Sequence, residues 1–289
     1  MRPFSIKPSP PPGVGASCLR KTLARHRCQA CADACPVAAI NIGSDGPRLD
    51  ADACLRCGNC LFVCPTDALT HLQPPRRNLR NNRLVGPFST TITPEELLLW
   101  HRQYAIVGVE MDYTAHPAWL RAVAALNVIL RELNEAEWQI FPPPSRPVDG
   151  FRRHWLRVPD DAHQTASVTA DQPTRLQAYH PFTPYELDFS LSRCVACGAC
   201  ARACAEKALR FTQTALEWDS SACSGCHACT AVCFTGAITL RREIAAAHAQ
   251  RFPLMQKVCS VCRHPFSTFS PQAERCHICQ QHRHAMREA

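Results

Sequence analysis

Twenty cysteines in a chain of 289 residues are the side chains whose chemistry has to be explained first. They fall into five groups of four: Cys18, Cys28, Cys31, Cys35; Cys54, Cys57, Cys60, Cys64; Cys194, Cys197, Cys200, Cys204; Cys223, Cys226, Cys229, Cys233; and Cys259, Cys262, Cys276, Cys279. The second, third and fourth groups each read C-x2-C-x2-C-x3-C. This spacing suits an iron–sulfur cubane. Three cysteines two residues apart wrap a short loop around one cluster, and the fourth enters a following helix and points to a neighbouring cluster. Disulfides are the competing use of so many thiols, in an oxidising compartment. Residues 1–16 carry five prolines and no apolar run of signal-peptide length. No stretch approaches the ~18 apolar residues of a membrane span. A cytoplasmic protein without membrane insertion, held together by metals, is the expectation.

The groups are paired by a common ruler. Cys35 to Cys54 and Cys204 to Cys223 are both steps of 19, and Cys35 to Cys64 and Cys204 to Cys233 are both steps of 29. Two segments with one internal ruler are a repeat. Their flanks agree: PTDALTHL follows Cys64 and FTGAITL follows Cys233, each reading as a turn and then a strand.

On these motifs the chain resembles bacterial two-cluster ferredoxins and the polyferredoxin subunits of redox complexes, over residues 18–72 and 190–241. The resemblance implies four [4Fe–4S] clusters. Cluster one takes Cys18, Cys28, Cys31 and Cys64; cluster two takes Cys54, Cys57, Cys60 and Cys35. Cluster three takes Cys194, Cys197, Cys200 and Cys233; cluster four takes Cys223, Cys226, Cys229 and Cys204. Two departures stand out. Arg25 occupies the place of the first cysteine of the first motif, so Cys18 is read as the ligand displaced by the insertion LRKTLAR. The proline that follows the fourth cysteine in this family is present as Pro36 and Pro65, whereas Ala205 and Phe234 stand there in the second segment.

Cys259, Cys262, Cys276 and Cys279 form two C-x2-C knuckles thirteen residues apart, the pattern of a four-thiolate zinc site. Rubredoxin-like iron and a fifth cluster are the alternatives; rubredoxin knuckles carry glycine after the second cysteine, and Arg263 and Gln280 stand here. Nearby His264, His277, His282 and His284 are read as exposed tail residues.

The elements that must hold these sites read as follows. Hydrophobic content is 46%, with 24 prolines and 11 glycines, which suggests small modules on stiff connectors. The fold class is α+β: two dicluster modules, a small α/β insert at 84–142 between them, and a zinc-ribbon-like tail at 255–284. Residues 1–17 read as a flexible N-terminus and 143–189 as an extended linker. The basic run Arg76, Arg77, Arg80 and Arg83 reads as a solvated linker. In the insert, Thr93-Pro94-Glu95-Glu96 starts a helix, AIVGVEM is a buried strand, and Pro117 opens a second helix with its stripe at Trp119, Val123, Leu126, Leu130 and Leu133. Residues 138–141 read as a further strand. No glycine-rich phosphate loop and no acid–base pair marks the insert as catalytic.

The expected function is one-electron transfer, as a subunit or redox partner of a larger oxidoreductase of the formate dehydrogenase, hydrogenase or molybdenum-enzyme type. Protein redox partners are implied and nucleic acid is not, since the net charge of +8 comes without a recognised nucleic-acid motif. Two other readings stay open: a redox-sensing or assembly protein that binds a partner through its zinc tail, and an oxidoreductase with an active site in the insert.

Overall fold

A computed structural model describes residues 10–23, 25–143 and 164–281. Phe151-Arg152-Arg153-His154-Trp155, His282 and His284 lie outside the described residues. The chain divides into two compact units: Met1–Thr22 with Cys28–Ala178, and Leu23–Arg27 with Tyr179–Ala289. The end of the insertion between Cys18 and Cys28 thus groups with the second unit.

In the first unit, the elements up to Thr70 are β1 (Gly13–Val14), α1 (Leu19–Thr22), α2 (Ala30–Asp33), β2 (Ile40–Gly43), β3 (Gly46–Leu49), α3 (Asn59–Val63) and β4 (Leu69–Thr70). Strand β1 pairs antiparallel with β4, and β2 with β3. The N-terminal segment expected to be flexible therefore contributes a strand to the first module. A two-residue strand carries no periodic signal, which is why the sequence hides it.

The insert follows as β5 (Arg77–Arg80), β6 (Arg83–Val85), α4 (Pro94–Tyr104), β7 (Gly108–Glu110), α5 (Pro117–Glu132), β8 (Gln139–Phe141), β9 (Gln164–Ala166) and α6 (Gln172–Gln177). Its sheet has the order β8-β7-β6-β5-β9, with β6, β7 and β8 parallel and the other pairings antiparallel. Successive crossovers in one direction place α4 and α5 on the same face. Leu84, Leu97, Leu98, Trp100, Val109 and Leu126 are buried there. The expected stripe of α5 is buried at all five of its positions.

Helix α4 starts as its sequence dictates: Thr93 is extended, its side chain accepts a hydrogen bond from the Glu96 amide, and Pro94 occupies the first turn. Replacing Thr93 by alanine removes that acceptor, with an expected loss of about 1 kcal/mol in chemical denaturation.

Two expectations are corrected. Beyond the exposed Arg76, the basic run is no solvated linker. Arg77 is buried and paired with Glu96, Arg80 pairs with Glu110 at 2.6 Å, and the Arg83 guanidinium lies 3.4 Å from the Phe141 ring centre. The partners are distant in sequence, so local charge density misleads. The extended linker is likewise structured over its described part: β9 closes one edge of the insert's sheet, and α6 is capped by Asp171.

The second unit contains β10 (Phe182–Phe189), α7 (Ala199–Ala203), β11 (Leu209–Phe211), β12 (Ala215–Asp219), α8 (Ala228–Val232), β13 (Ile238–Ala246) and β14 (Ala249–Pro253). The tail adds β15 (Met255–Val258), β16 (Pro265–Thr268) and α9 (His277–Gln281). Strand β10 pairs with β13, β12 lies between β11 and β14, and β15 pairs with β16. Leu209, Leu216, Trp218 and Ile238 form one core with Cys200, Cys223 and Cys229.

Candidate metal centres

The cysteine loops take their shape from left-handed backbone. Each full motif has two such residues: Arg56 and Gly58, Ala196 and Gly198, Gly225 and His227, with φ between 52° and 79°. Residues other than glycine adopt this conformation at a cost of roughly 1–2 kcal/mol each. The double bend turns three thiols toward one point. The first motif departs here: Gln29 has φ −127°. The fourth cysteine ends a short helix in extended backbone at Cys64, Cys204 and Cys233 and leads into a turn.

The structure brings together four sets of thiols. Cys18, Cys28, Cys31 and Cys64 line one cavity, with Val14 and Leu69 in its wall. Cys35, Cys54, Cys57 and Cys60 line a second, with Val37 and Leu49. Cys194, Cys197, Cys200 and Cys233 line a third, with Phe211 and Phe234. Cys223, Cys226, Cys229 and Cys204 are electrostatic neighbours in a fourth group. In every set the last cysteine of one motif joins the first three of the other.

Burial dominates the acidity of these thiols. It pushes Cys31 and Cys200 up to about 11, with neighbouring thiols adding to the rise. Cys60 and Cys223 rise to about 12, and Cys229 is raised as well, for the same reasons. Burial acts upward on Cys233 too, but hydrogen bonds from Thr235 and nearby amides outweigh it and leave that thiol below its ordinary value. Four mutually repelling thiolates in an apolar pocket need a cationic core, and binding one releases protons. Backbone amides also point at sulfur: Ala39 to Cys35 at 3.2 Å, Ala68 to Cys64 at 3.3 Å and Ala237 to Cys233 at 3.3 Å. Four inward thiols, apolar walls and amide donors to sulfur form a donor set that fits an iron–sulfur cubane.

Gly225 leaves no room for a side chain. A Cβ at Gly225 would stand 2.0 Å from Cζ of Tyr185, and the residue has φ 69°. Gly225→Ala is expected to lower iron loading selectively in the Cys223 set, read as the loss of one cluster's paramagnetic signal. Arg56, Arg193 and Arg202, near the cysteines in sequence, are all exposed.

In the tail, the Sγ atoms of Cys259, Cys262, Cys276 and Cys279 all lie within 4.8 Å of one another, with Cys262 and Cys276 at 3.9 Å. The Cys262 amide first, and then the Cys276 amide, which donates to Cys259 Sγ at 3.3 Å, bring the Cys259 thiol down to about 6. Arg263 has φ 61°, the left-handed backbone for which glycine is favoured, so the knuckle turn forms without glycine.

Sequence reasoning missed Tyr185 over Gly225, and it missed Asp67 and Arg175 beside Cys64. One signal was available: Asp67 and Gly236 hold matching places, three residues after Cys64 and Cys233, and differ in type.

Residues 25–68 and 193–237 each match the 4Fe-4S dicluster domain family. The chain is similar to Ferredoxin 7Fe of Hydrogenibacillus schlegelii, 44% identical over 41 residues, which covers 14% of this chain and 53% of that protein. It is also similar to the ferredoxin-type protein NapF of Haemophilus influenzae, 40% identical over 62 residues, covering 20% of this chain and 34% of the relative. The chain thus spans between a third and about half of the length of these curated relatives.

Proposed function

We propose, from its two ferredoxin-type dicluster domains, that this chain is an electron carrier holding four [4Fe–4S] clusters, working as a subunit or redox partner of a larger oxidoreductase. The observation that carries the reading is the gathering of sixteen cysteines into four crossed sets, three of them lining one apolar cavity each and the fourth grouped as mutual electrostatic neighbours. When bound, such clusters supply one-electron transfer. The protein's own residues do the rest. Cys18, Cys28, Cys31 and Cys64 hold cluster one, and Cys35, Cys54, Cys57 and Cys60 hold cluster two. Cys194, Cys197, Cys200 and Cys233 hold cluster three, and Cys204, Cys223, Cys226 and Cys229 hold cluster four. Ile40, Leu69, Leu209 and Ile238 are buried and keep water from the sulfurs. The amides of Ala39, Ala68 and Ala237 draw charge from their cysteine sulfurs.

The tail thiols hold a single metal ion, which we assign as zinc. A tetrahedral site with metal–sulfur bonds of ~2.3 Å sets its sulfurs about 3.8 Å apart, close to the Cys262–Cys276 separation. A cubane needs its thiolates farther apart, because they project outward from separate irons. Among the described residues no helix is long and apolar enough to cross a membrane, in keeping with a carrier that works in the cytoplasm.

Electron paramagnetic resonance of the anaerobically purified, dithionite-reduced protein tests the carrier reading. Signals that titrate with one-electron steps and disappear on reoxidation by an external acceptor are expected; iron that never changes redox state contradicts it. Metal analysis tests the tail: about one zinc per chain is expected, lost in Cys262→Ala. A red ferric tetrathiolate spectrum that this substitution abolishes would show iron instead.

A further inference from the structure

The turn after the fourth cysteine occurs four times, and one copy is built differently. At Cys35, Cys204 and Cys233 the carbonyl accepts a hydrogen bond from the amide three residues on, at 3.3 Å from Ala38, 3.3 Å from Lys207 and 3.2 Å from Gly236. At Cys64 the carbonyl instead accepts from Nη2 of Arg175, which is 111 residues away in sequence. Nη1 of the same guanidinium donates to the carbonyl of Leu61 at 3.0 Å, within α3, and to the carbonyl of Ala170. Nη2 also lies 2.8 Å from Oδ1 of Asp67.

Asp67 itself is unusual. It has φ 47°, as its counterparts Ala38, Lys207 and Gly236 are also left-handed. Glycine meets that requirement without strain at Gly236 in the second unit, whereas a side chain here is strained. The carboxylate does two things glycine cannot. Oδ1 pairs with Arg175, and Oδ2 accepts the Gln172 amide at 2.8 Å, at the start of α6. A segment that reads as a linker is thereby tied to the last thiol-bearing turn of the first module. The matching turn of the second unit has no carboxylate. There the exposed Arg193 guanidinium stands 3.8 Å from where a Cβ of residue 236 would be.

The charges are not equally screened. The Arg175 side chain is 11% exposed and the Asp67 side chain 41%. The carboxylate therefore faces solvent, and the guanidinium sits under it, against the peptide of Cys64. Reduction adds one negative charge to a cluster, and a buried cation within hydrogen-bonding distance of a ligand's peptide favours the reduced form.

We propose that Arg175, held by the carbonyls of Leu61, Cys64 and Ala170, is a positioning residue for the centre held by Cys18, Cys28, Cys31 and Cys64: it fixes the Cys64 turn and raises the reduction potential of that centre alone. The inference rests on the cluster reading above. It gives the connector between the modules a role in ordering the potentials, so that electrons dwell at one defined place in the chain.

The test is a redox titration of the full-length protein, monitored by paramagnetic resonance, with iron content measured on each sample. In Arg175→Met one midpoint is expected to move to lower potential while the other three stay. Arg175→Lys, which keeps the charge and loses the fork, is expected to recover part of that shift. In Asp67→Gly, which keeps the guanidinium and removes the carboxylate, the same midpoint is expected to move up. Unchanged midpoints in Arg175→Met with full iron overturn the proposal, as does an equal shift of all four. If Arg175→Met does not hold its iron, Asp67→Gly decides, and a variant of that kind with no shifted midpoint overturns the proposal. Failure of the cluster reading looks different, because the unmodified protein then shows no reducible clusters at all.

Discussion

Replacing Arg77 by methionine is expected to destabilise the first unit by about 3–5 kcal/mol, the cost of leaving a buried charge without its partner. Arg77 Nε lies 2.5 Å from Glu96 Oε1 and Nη2 lies 2.9 Å from Oε2, a two-pronged pair in which both side chains are buried. Trp100 Nε1 donates to the same carboxylate at 3.2 Å, and the guanidinium stacks 4.8 Å from the Trp119 ring centre. Burial already raises the Glu96 carboxyl, against the downward pull of Arg77 and Trp100. Without Arg77 it rises further. A carboxyl whose folded value lies above its unfolded value contributes most at low pH and loses that contribution as pH rises through the folded value. The deficit of Arg77→Met is therefore expected to be smaller at pH 5.5 than at pH 7.5 in urea denaturation. The double variant Arg77→Met with Glu96→Leu removes both charges and is expected to regain much of the loss. A single variant indistinguishable from the parent protein would show that the pair carries no weight in the fold.

The second large effect concerns Cys229 and Cys233, four residues apart. Alanine at Cys229 is expected to abolish the centre shared with Cys204, Cys223 and Cys226, because those are its neighbours. Alanine at Cys233 is expected to abolish a different one, since Cys233 lines a site with Cys194, Cys197 and Cys200. Each single variant loses one paramagnetic cluster and about four irons, and the double variant loses two clusters and about eight irons. If neighbouring cysteines served one cluster, the double variant would lose no more than either single one. Iron assay with spin quantification on the three variants separates the two arrangements.

What was legible in the sequence was what is local or ruled. The equal steps of 19 and 29 announced the repeat, and the resemblance supplied the crossed sets, three of which line one cavity each. Thr93, Pro94 and Pro117 marked helix starts because capping and proline effects act within one turn. What stayed hidden depends on distant partners. The arginines at 77, 80 and 83 looked solvated because Glu96, Glu110 and Phe141 lie far along the chain. Residues 164–178 looked like a strap because β9 is a short edge strand of polar sequence and α6 has too few residues for a periodic stripe. The left-handed Arg56 and Ala196 escaped notice because only glycine signals that conformation by type.

Iron and acid-labile sulfide, measured together on the anaerobically purified full chain, test the central claim most directly. Four cubanes held by sixteen cysteines predict about sixteen irons and about sixteen sulfides per chain. A fully loaded sample with fewer than about twelve irons would remove at least one of the four centres. Thiols found paired as disulfides, with no iron, would contradict the account as a whole.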